Sequence, residues 1–316
     1  MNNPLVSVII PTYNRAGLIG QAIGNVFDQT YTNLEVIVVD DGSTDDTARV
    51  LDEFARRIRV VSQGNAGPAA ARNRGAEMAR GEIIAFQDSD DAWMPGKLER
   101  QVALLERAGP SVPCCLCNAT MYFTGRPVTT SFDLAAIHPG LEEGIWSNVA
   151  EVLATTSVLF NQCAAIRADA LRKVGGFDES LILMEDYDLT LRLALEGNSW
   201  AFLAEPLVVW RQGSPESLWE KSRDDEIYLR ECAVKCLAGL AGKLESGKQP
   251  SAELRRIVRR ELKGKRRELA AARVEQSNLV GASVVGGFLK TIERYRRAIH
   301  RRSPWYPSML AEPLQA

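Results

Sequence analysis

Up to Phe86 the chain alternates β-rich runs with stretches of helical spacing, and that alternation leaves few folds open to it. Val6-Ser7-Val8-Ile9-Ile10 stops at Pro11, and Ile19, Ala22, Ile23, Val26 and Phe27 then recur at the spacing of one helix face. Glu35-Val36-Ile37-Val38-Val39 repeats the strand signal. The turn that follows, Asp40 to Asp46, predicts a helix capped by Ser43 or Thr44 and carrying Ala48, Leu51, Phe54 and Ala55 on one side. A third strand, Ile58 to Val61, leads through a Gly-rich turn to a helix that Pro68 can open at its first position. Ile83-Ile84-Ala85-Phe86 is the fourth strand. Strands linked by helices of this length pair in parallel through right-handed crossovers, so the expectation is a Rossmann-like, mostly parallel α/β sheet flanked by helices.

Such a sheet binds its ligands just beyond the carboxyl ends of its strands. The fourth strand delivers Asp88-Ser89-Asp90-Asp91 to that place, and clustered carboxylates there call for a cation and a phosphate-bearing ligand. After Pro95, Leu98, Val102 and Leu105 predict a helix; from Pro110 to Trp146 the pattern is irregular, with short strands and turns. Cys163 to Arg167 reads as a strand, followed by a short helix to Val174. A helix opens at Met184-Glu185-Asp186-Tyr187-Asp188 and runs through Leu195, and two strands, Trp200 to Leu203 and Leu207 to Trp210, close the body. The six cysteines follow no zinc-ligand spacing and read as buried free thiols.

The formal net charge of −2 hides two regions of opposite sign. From Lys243 onward 17 Lys and Arg stand against 7 Asp and Glu, a charge of +10; the rest has 21 against 33, a charge of −12. The acidic body suits a metal-dependent nucleotide site and the basic tail an anionic surface. Helices are expected around Trp219 to Leu240, Ser251 to Ser277 and Gly287 to His300. The second of them is basic and amphipathic, fit for an anionic membrane surface. Leu279 to Leu289 is too short to span a bilayer. The basic helices lack aromatic platforms and any recognised module, which argues against nucleic acid. With no basic lead and only Leu5 to Ile10 as an apolar run at the start, the expected place is the cytoplasm, with peripheral contact at the inner face of the membrane.

Six segments carry a resemblance. Val6 through Pro11-Thr12-Tyr13-Asn14-Arg15, Val39 through Asp45, Gly67 through Arg72-Asn73-Arg74-Gly75, Asp88 through Asp91, Gly175-Gly176-Phe177-Asp178-Glu179 and Glu185 through Leu189 together resemble the inverting glycosyltransferases of the GT-A fold, glycosyltransferase family 2. The resemblance covers roughly residues 5 to 211, so a GT-A domain over 1–217 and a helical, basic extension over 218–316 are expected.

It implies that Pro11, Thr12 and Tyr13 line the donor's base and ribose pocket, with Tyr13 packing on the base. Asp41, ahead of Asp40, accepts from a ring N–H, and Arg72, ahead of Arg74, reaches the diphosphate or base. Asp90 is the direct ligand of Mn²⁺ or Mg²⁺, Asp88 bridges to ribose or a metal-bound water beside Ser89, and Asp91 supports them. Asp186 is the base, with Glu185 orienting it or contacting the acceptor, while Asp188 binds within its helix. One departure stands out: where the family places a His two residues beyond an Arg, this chain has Gly213, and neither His138 nor His300 fits.

The activity implied is metal-dependent, inverting transfer of one sugar from a nucleotide-sugar, taken as a UDP-sugar, to a saccharide or lipid-linked acceptor in polysaccharide or glycan assembly. Two other classes compete. A sugar-phosphate nucleotidyltransferase would want a Gly-rich, Arg-Lys-bearing loop where Pro11-Thr12-Tyr13-Asn14 stands, and a non-catalytic nucleotide-sugar-binding protein would have no use for Asp90 and Asp186 together. The sequence names neither the sugar, the acceptor nor the oligomer.

Overall fold

The computed structural model describes residues 3–123, 126–158, 160–212, 225–246 and 251–278, together with 309, 311–312 and 314. The predicted opening is present: β1 (Val6–Thr12), α1 (Ile19–Phe27), β2 (Leu34–Asp40), α2 (Thr47–Asp52), β3 (Arg59–Ser62), α3 (Pro68–Met78) and β4 (Ile83–Phe86). β5 (Ala92–Trp93), α4 (Lys97–Ala108), β6 (Cys114–Phe123), β7 (Arg126–Thr130), α5 (Ser131–Leu134), β8 (Glu143–Trp146) and α6 (Val149–Leu153) follow. The body closes with β9 (Ala164–Arg167), α7 (Ala168–Lys173), α8 (Glu185–Glu196) and β10 (Trp200–Gln212), beyond which lie α9 (Glu226–Ser246), α10 (Ala252–Asn278) and β11 (Ala311–Glu312).

The strands form one sheet in the order β11-β8-β10-β6-β9-β4-β1-β2-β3, with β5 beside β10 and β7 beside β6. β3, β2, β1 and β4 are parallel throughout, as the crossover helices require. β9 enters antiparallel between β4 and β6, so the sheet is mixed in its second half while most strands keep one direction. Parallel register pairs Thr12 with Asp40 and Ile9 with Phe86. The segments starting at Tyr13, Asp41 and Gln87 therefore leave the sheet along one edge.

Glycine sets the depth of one layer. A methyl on Gly75 would lie 2.4 Å from Ile9 Cγ2, so its absence lets α3 press against β1. The region read as irregular contains β6, a ten-residue strand. Its Cys114 to Cys117 are wholly buried, so no polar residue alternates there to reveal a strand period. β10 is a single strand whose register slips on either side of Pro206, which accounts for its two-part appearance in sequence. All six cysteines are free and buried.

The extension is docked on the body. Cys236, Leu237, Leu240 and Leu244 of α9 and Leu254, Ile257 and Val258 of α10 belong to the same hydrophobic core as the sheet. α9 begins at Glu226; the part of the expected helix from Trp219 to residue 224 lies outside the described residues, as do Leu279 to Leu289 and the expected helix around 287–300. Among the described residues no helix is long and apolar enough to cross a membrane.

Candidate active site

Three loops at the sheet edge are stitched together by side chains that favour turns. Asn14, in the left-handed region at φ 53°, donates its N–H to Ser43 Oγ (2.9 Å) and accepts from Thr44 N at 2.7 Å. Ser43 and Thr44 thus join two loops, and the start of α2 is held instead by Asp45, whose carboxylate accepts from Thr47 N (3.0 Å) and Ala16 N (3.1 Å). Asp41 is buried and accepts from Gln63 Nε2, Ala66 N and Gly67 N at 2.8 to 2.9 Å. That fixes the 63–67 turn and leaves it one lone pair on the oxygen that meets Gly67. Asp40, beside it, accepts from Ser43 N. Pro11 is partly buried and Thr12 fully so, with the Thr12 hydroxyl lacking a hydrogen-bond partner among the described residues. Tyr13 stands 44% exposed at this edge, an open aromatic face next in sequence to the buried Thr12.

A buried guanidinium joins the next two elements. Arg72, on α3, donates from Nη2 to Asp88 Oδ1 at 2.6 Å and from Nη1 to Glu185 Oε1 at 2.8 Å. Its plane lies 5.5 Å from the Phe177 ring, which packs edge-on against Phe86 at the end of β4. Burial by itself would favour loss of the Arg72 proton, but Asp88 and Glu185 outweigh it and hold the group charged, above its ordinary value. Asn73 next to it accepts from Phe177 N at 2.8 Å and donates to Phe177 O at 3.0 Å, locking the Gly175–Phe177 turn to α3. Arg72 was expected to reach the diphosphate or base; in the structure both its terminal nitrogens donate to carboxylates, partners that the residue types alone could not show.

The acidic turn divides its labour. Asp91 is buried and accepts from Gln162 Nε2 (2.8 Å) and Arg211 N (2.9 Å), tying the turn to β10. Burial, with Asp90 and Asp88 beside it, raises its carboxyl well above the ordinary value. Asp88 is committed to Arg72, and Ser89 is partly buried between Asp88 and Asp90. Asp90 has a looser partner, Arg15 Nη2 at 3.8 Å, a residue the sequence reading did not single out for a role. Burial and then Asp88 raise the Asp90 carboxyl, and Arg15 opposes them. Among the described residues no group of three His, Cys, Asp or Glu side chains could by itself hold a metal ion. A single carboxylate of this kind does suit Mg²⁺ or Mn²⁺ shared with a substrate's phosphate oxygens. Gly213 lies outside the described residues.

Across Arg72 stands the start of α8. Met184 adopts a left-handed φ of 62°, costly for a side chain with a Cβ, and turns the chain directly into Glu185 and Asp186. Asp186 Oδ1 accepts from Tyr187 N at 2.7 Å, and Oδ2 has no hydrogen-bond partner among the described residues. Burial, then the charge of Glu185, push the Asp186 carboxyl up to about 7. Burial also raises Glu185, against the pull of Arg72. Asp188 binds within its helix, accepting from Arg192 Nε at 2.7 Å. A carboxylate near neutrality, with one oxygen lacking a hydrogen-bond partner among the described residues, thus follows directly on Glu185, which Arg72 ties to the acidic turn. That arrangement can hold a phosphorylated ligand and take a proton from it or from a second substrate.

Comparison with known proteins agrees. The family model described as glycosyl transferase family 2 matches residues 7–175. An Escherichia coli chondroitin synthase is 36% identical over 198 residues, 61% of this chain and 27% of that protein. The chain spans between 18% and 58% of the length of curated relatives it matches. Among solved structures, Staphylococcus aureus TarS 1–349 in complex with UDP-GlcNAc superposes with a TM-score of 0.66 at 22% identity, covering 81% of this chain and 71% of that one. A mannosyltransferase from Pyrobaculum calidifontis in complex with GDP-Man and Mn²⁺ gives a TM-score of 0.62, also at 22% identity, over 97% of this chain and 83% of that one. At such identity the two structures establish a shared fold, a central sheet flanked by helices.

Proposed function

From the premise that this chain belongs to glycosyl transferase family 2 and is a glycosyltransferase, we propose that it moves one sugar from a nucleotide-sugar, a UDP-sugar, to a saccharide or lipid-linked acceptor with inversion at the anomeric carbon. The observation that carries this reading is the Arg72 fork. By gripping Asp88 and Glu185 together it ties the acidic turn to the start of α8, 97 positions apart in sequence, which supports reading the two as parts of one site.

Each residue then has a task set by its surroundings. Tyr13 offers its exposed ring to the base, and the buried Thr12 hydroxyl and the spare Asp41 lone pair offer polar contacts beside it. Asp90, with Arg15 beside it, faces the diphosphate. A divalent ion held there by Asp90 and phosphate oxygens would neutralise charge on the leaving nucleotide as the sugar–oxygen bond stretches. Asp186 removes the proton from the acceptor hydroxyl as that oxygen attacks the face opposite the departing nucleotide. Its pKa near 7 matches that work, because a base is most effective when its affinity for the proton is close to ambient pH. Glu185, pinned by Arg72, orients the turn that presents it. The proposed setting is polysaccharide or glycan assembly at the cytoplasmic membrane face.

Transfer and donor hydrolysis should be measured across a panel of nucleotide-sugars with and without Mn²⁺. Asp186→Asn is expected to keep donor affinity while turnover falls by about 10²- to 10⁴-fold, the range for a positioned base. Turnover equal to that of the parent would place the base elsewhere.

A further inference from the structure

We propose that the outward face of α10 is an electrostatic dock for a membrane surface rich in anionic phospholipid headgroups. At about 100° per residue, Arg259, Lys263, Arg266 and Arg267 fall within a helical arc about 100° wide. No acidic residue of the helix shares that arc: by the same spacing Glu253, Glu261, Glu268 and Glu275 fall outside it. All four basic side chains are exposed, and with Leu262 and Ala270 they line an open groove. Lys263, Arg266 and Arg267 pair with no carboxylate among the described residues, and the nearest partner of Arg259, Glu245, lies 3.6 Å away with both groups in solvent. The opposite side of the helix is committed to the core through Leu254, Ile257, Val258 and Leu269. The helix cannot roll to hide its charge.

Charge complementarity selects the occupant. The sequence up to Gly242 sums to −12, whereas α10 carries nine Lys and Arg against four Glu, +5, so a negatively charged plane favours the α10 face over the acidic body. The face is a row about 12 Å long between Arg259 and Arg267, and it carries no aromatic ring on which a nucleic-acid base could stack. Val274, 58% exposed one turn beyond Ala270, adds an apolar contact at the headgroup boundary. The docking extends the membrane-facing part of the functional reading, yet it needs no donor, acceptor or metal to be observed.

The test is sedimentation of the full chain with vesicles of phosphatidylcholine alone or with about a third phosphatidylserine. Binding is expected only to the anionic vesicles and is lost near 0.5 M salt, where the screening length shrinks to about 4 Å. Each basic group removed should weaken partitioning by about fivefold, so Lys263→Ala/Arg266→Ala/Arg267→Ala should lose on the order of 100-fold. The thermal midpoint and Mn²⁺-dependent donor hydrolysis in solution should stay as in the parent. Arg49→Ala/Arg56→Ala/Arg172→Ala removes the same charge from exposed sites on the body and is expected to bind as the parent does. Equal losses in the two triple variants, equal binding to both kinds of vesicle, or binding to soluble polyphosphate with none to vesicles would each overturn the assignment. Loss of hydrolysis in Asp186→Asn with vesicle binding intact would leave docking standing on its own.

Discussion

At the residue scale the chemistry rests on Asp186, whose carboxyl titrates near 7 against an ordinary 3.8. A raised carboxyl binds its proton more tightly in the folded chain, so its contribution to stability is whole below about pH 4 and is lost as pH rises through about 7. Catalysis runs the other way, since a base must be ionised. Turnover under saturating donor is expected to rise about tenfold per pH unit below 7 and to level above it. Asp186→Asn removes both dependences: its unfolding midpoint in urea should exceed the parent's at pH 8 and converge with it near pH 4. A parent rate flat from about pH 5.5 to 8.5 would contradict the assignment. The acids themselves were legible in the sequence because runs such as Asp88-Ser89-Asp90-Asp91 and Glu185-Asp186 announce their type. Their partners were not. Arg72 and Glu185 lie 113 positions apart, and only the fold decides that a guanidinium expected to reach the diphosphate or base meets two carboxylates.

At the element scale, periodicity identified β1 to β4 and their helices because each buries one kind of face. It could not give the direction of β9, since an apolar run reads the same paired either way. β6 escaped for the related reason that its first half is buried on both sides. Element packing also positions chemistry, because α3 carries Arg72 only as deep as Gly75 permits. Gly75→Val would thrust methyl groups into Ile9 and is expected to cost about 1–3 kcal/mol in urea unfolding. Turnover should fall with it, as Arg72 is lifted from its carboxylates. Adding Ile9→Ala should recover part of both losses, and a double variant no better than the single one would show that the close approach is not what matters.

At the scale of the whole molecule, the sequence suggested a boundary near residue 217, just past the end of the resemblance at about 211 and ahead of the basic stretch that starts at Lys243. The charge change is real but does not divide the interior: Leu237, Leu240, Leu244, Ile257 and Val258 are buried in the core that the sheet also builds. Apolar side chains of this kind contribute about 1.5–3 kcal/mol each when fully covered, and a whole domain's net stability is only about 5–15 kcal/mol. A chain ending at 217 is therefore expected to aggregate or bind a hydrophobic dye, with no cooperative melting transition. A soluble fragment melting at the parent's temperature would show that the body stands alone.

The two-pronged grip of Arg72 also bears on ancestry. Losing Arg72 would leave two carboxylates, Asp88 and Glu185, facing each other without a cation, whereas losing either carboxylate still leaves the guanidinium one partner. Of the three positions, Arg72 is therefore the one whose change the other two tolerate least, and a lineage is expected to part with a carboxylate before it parts with the guanidinium.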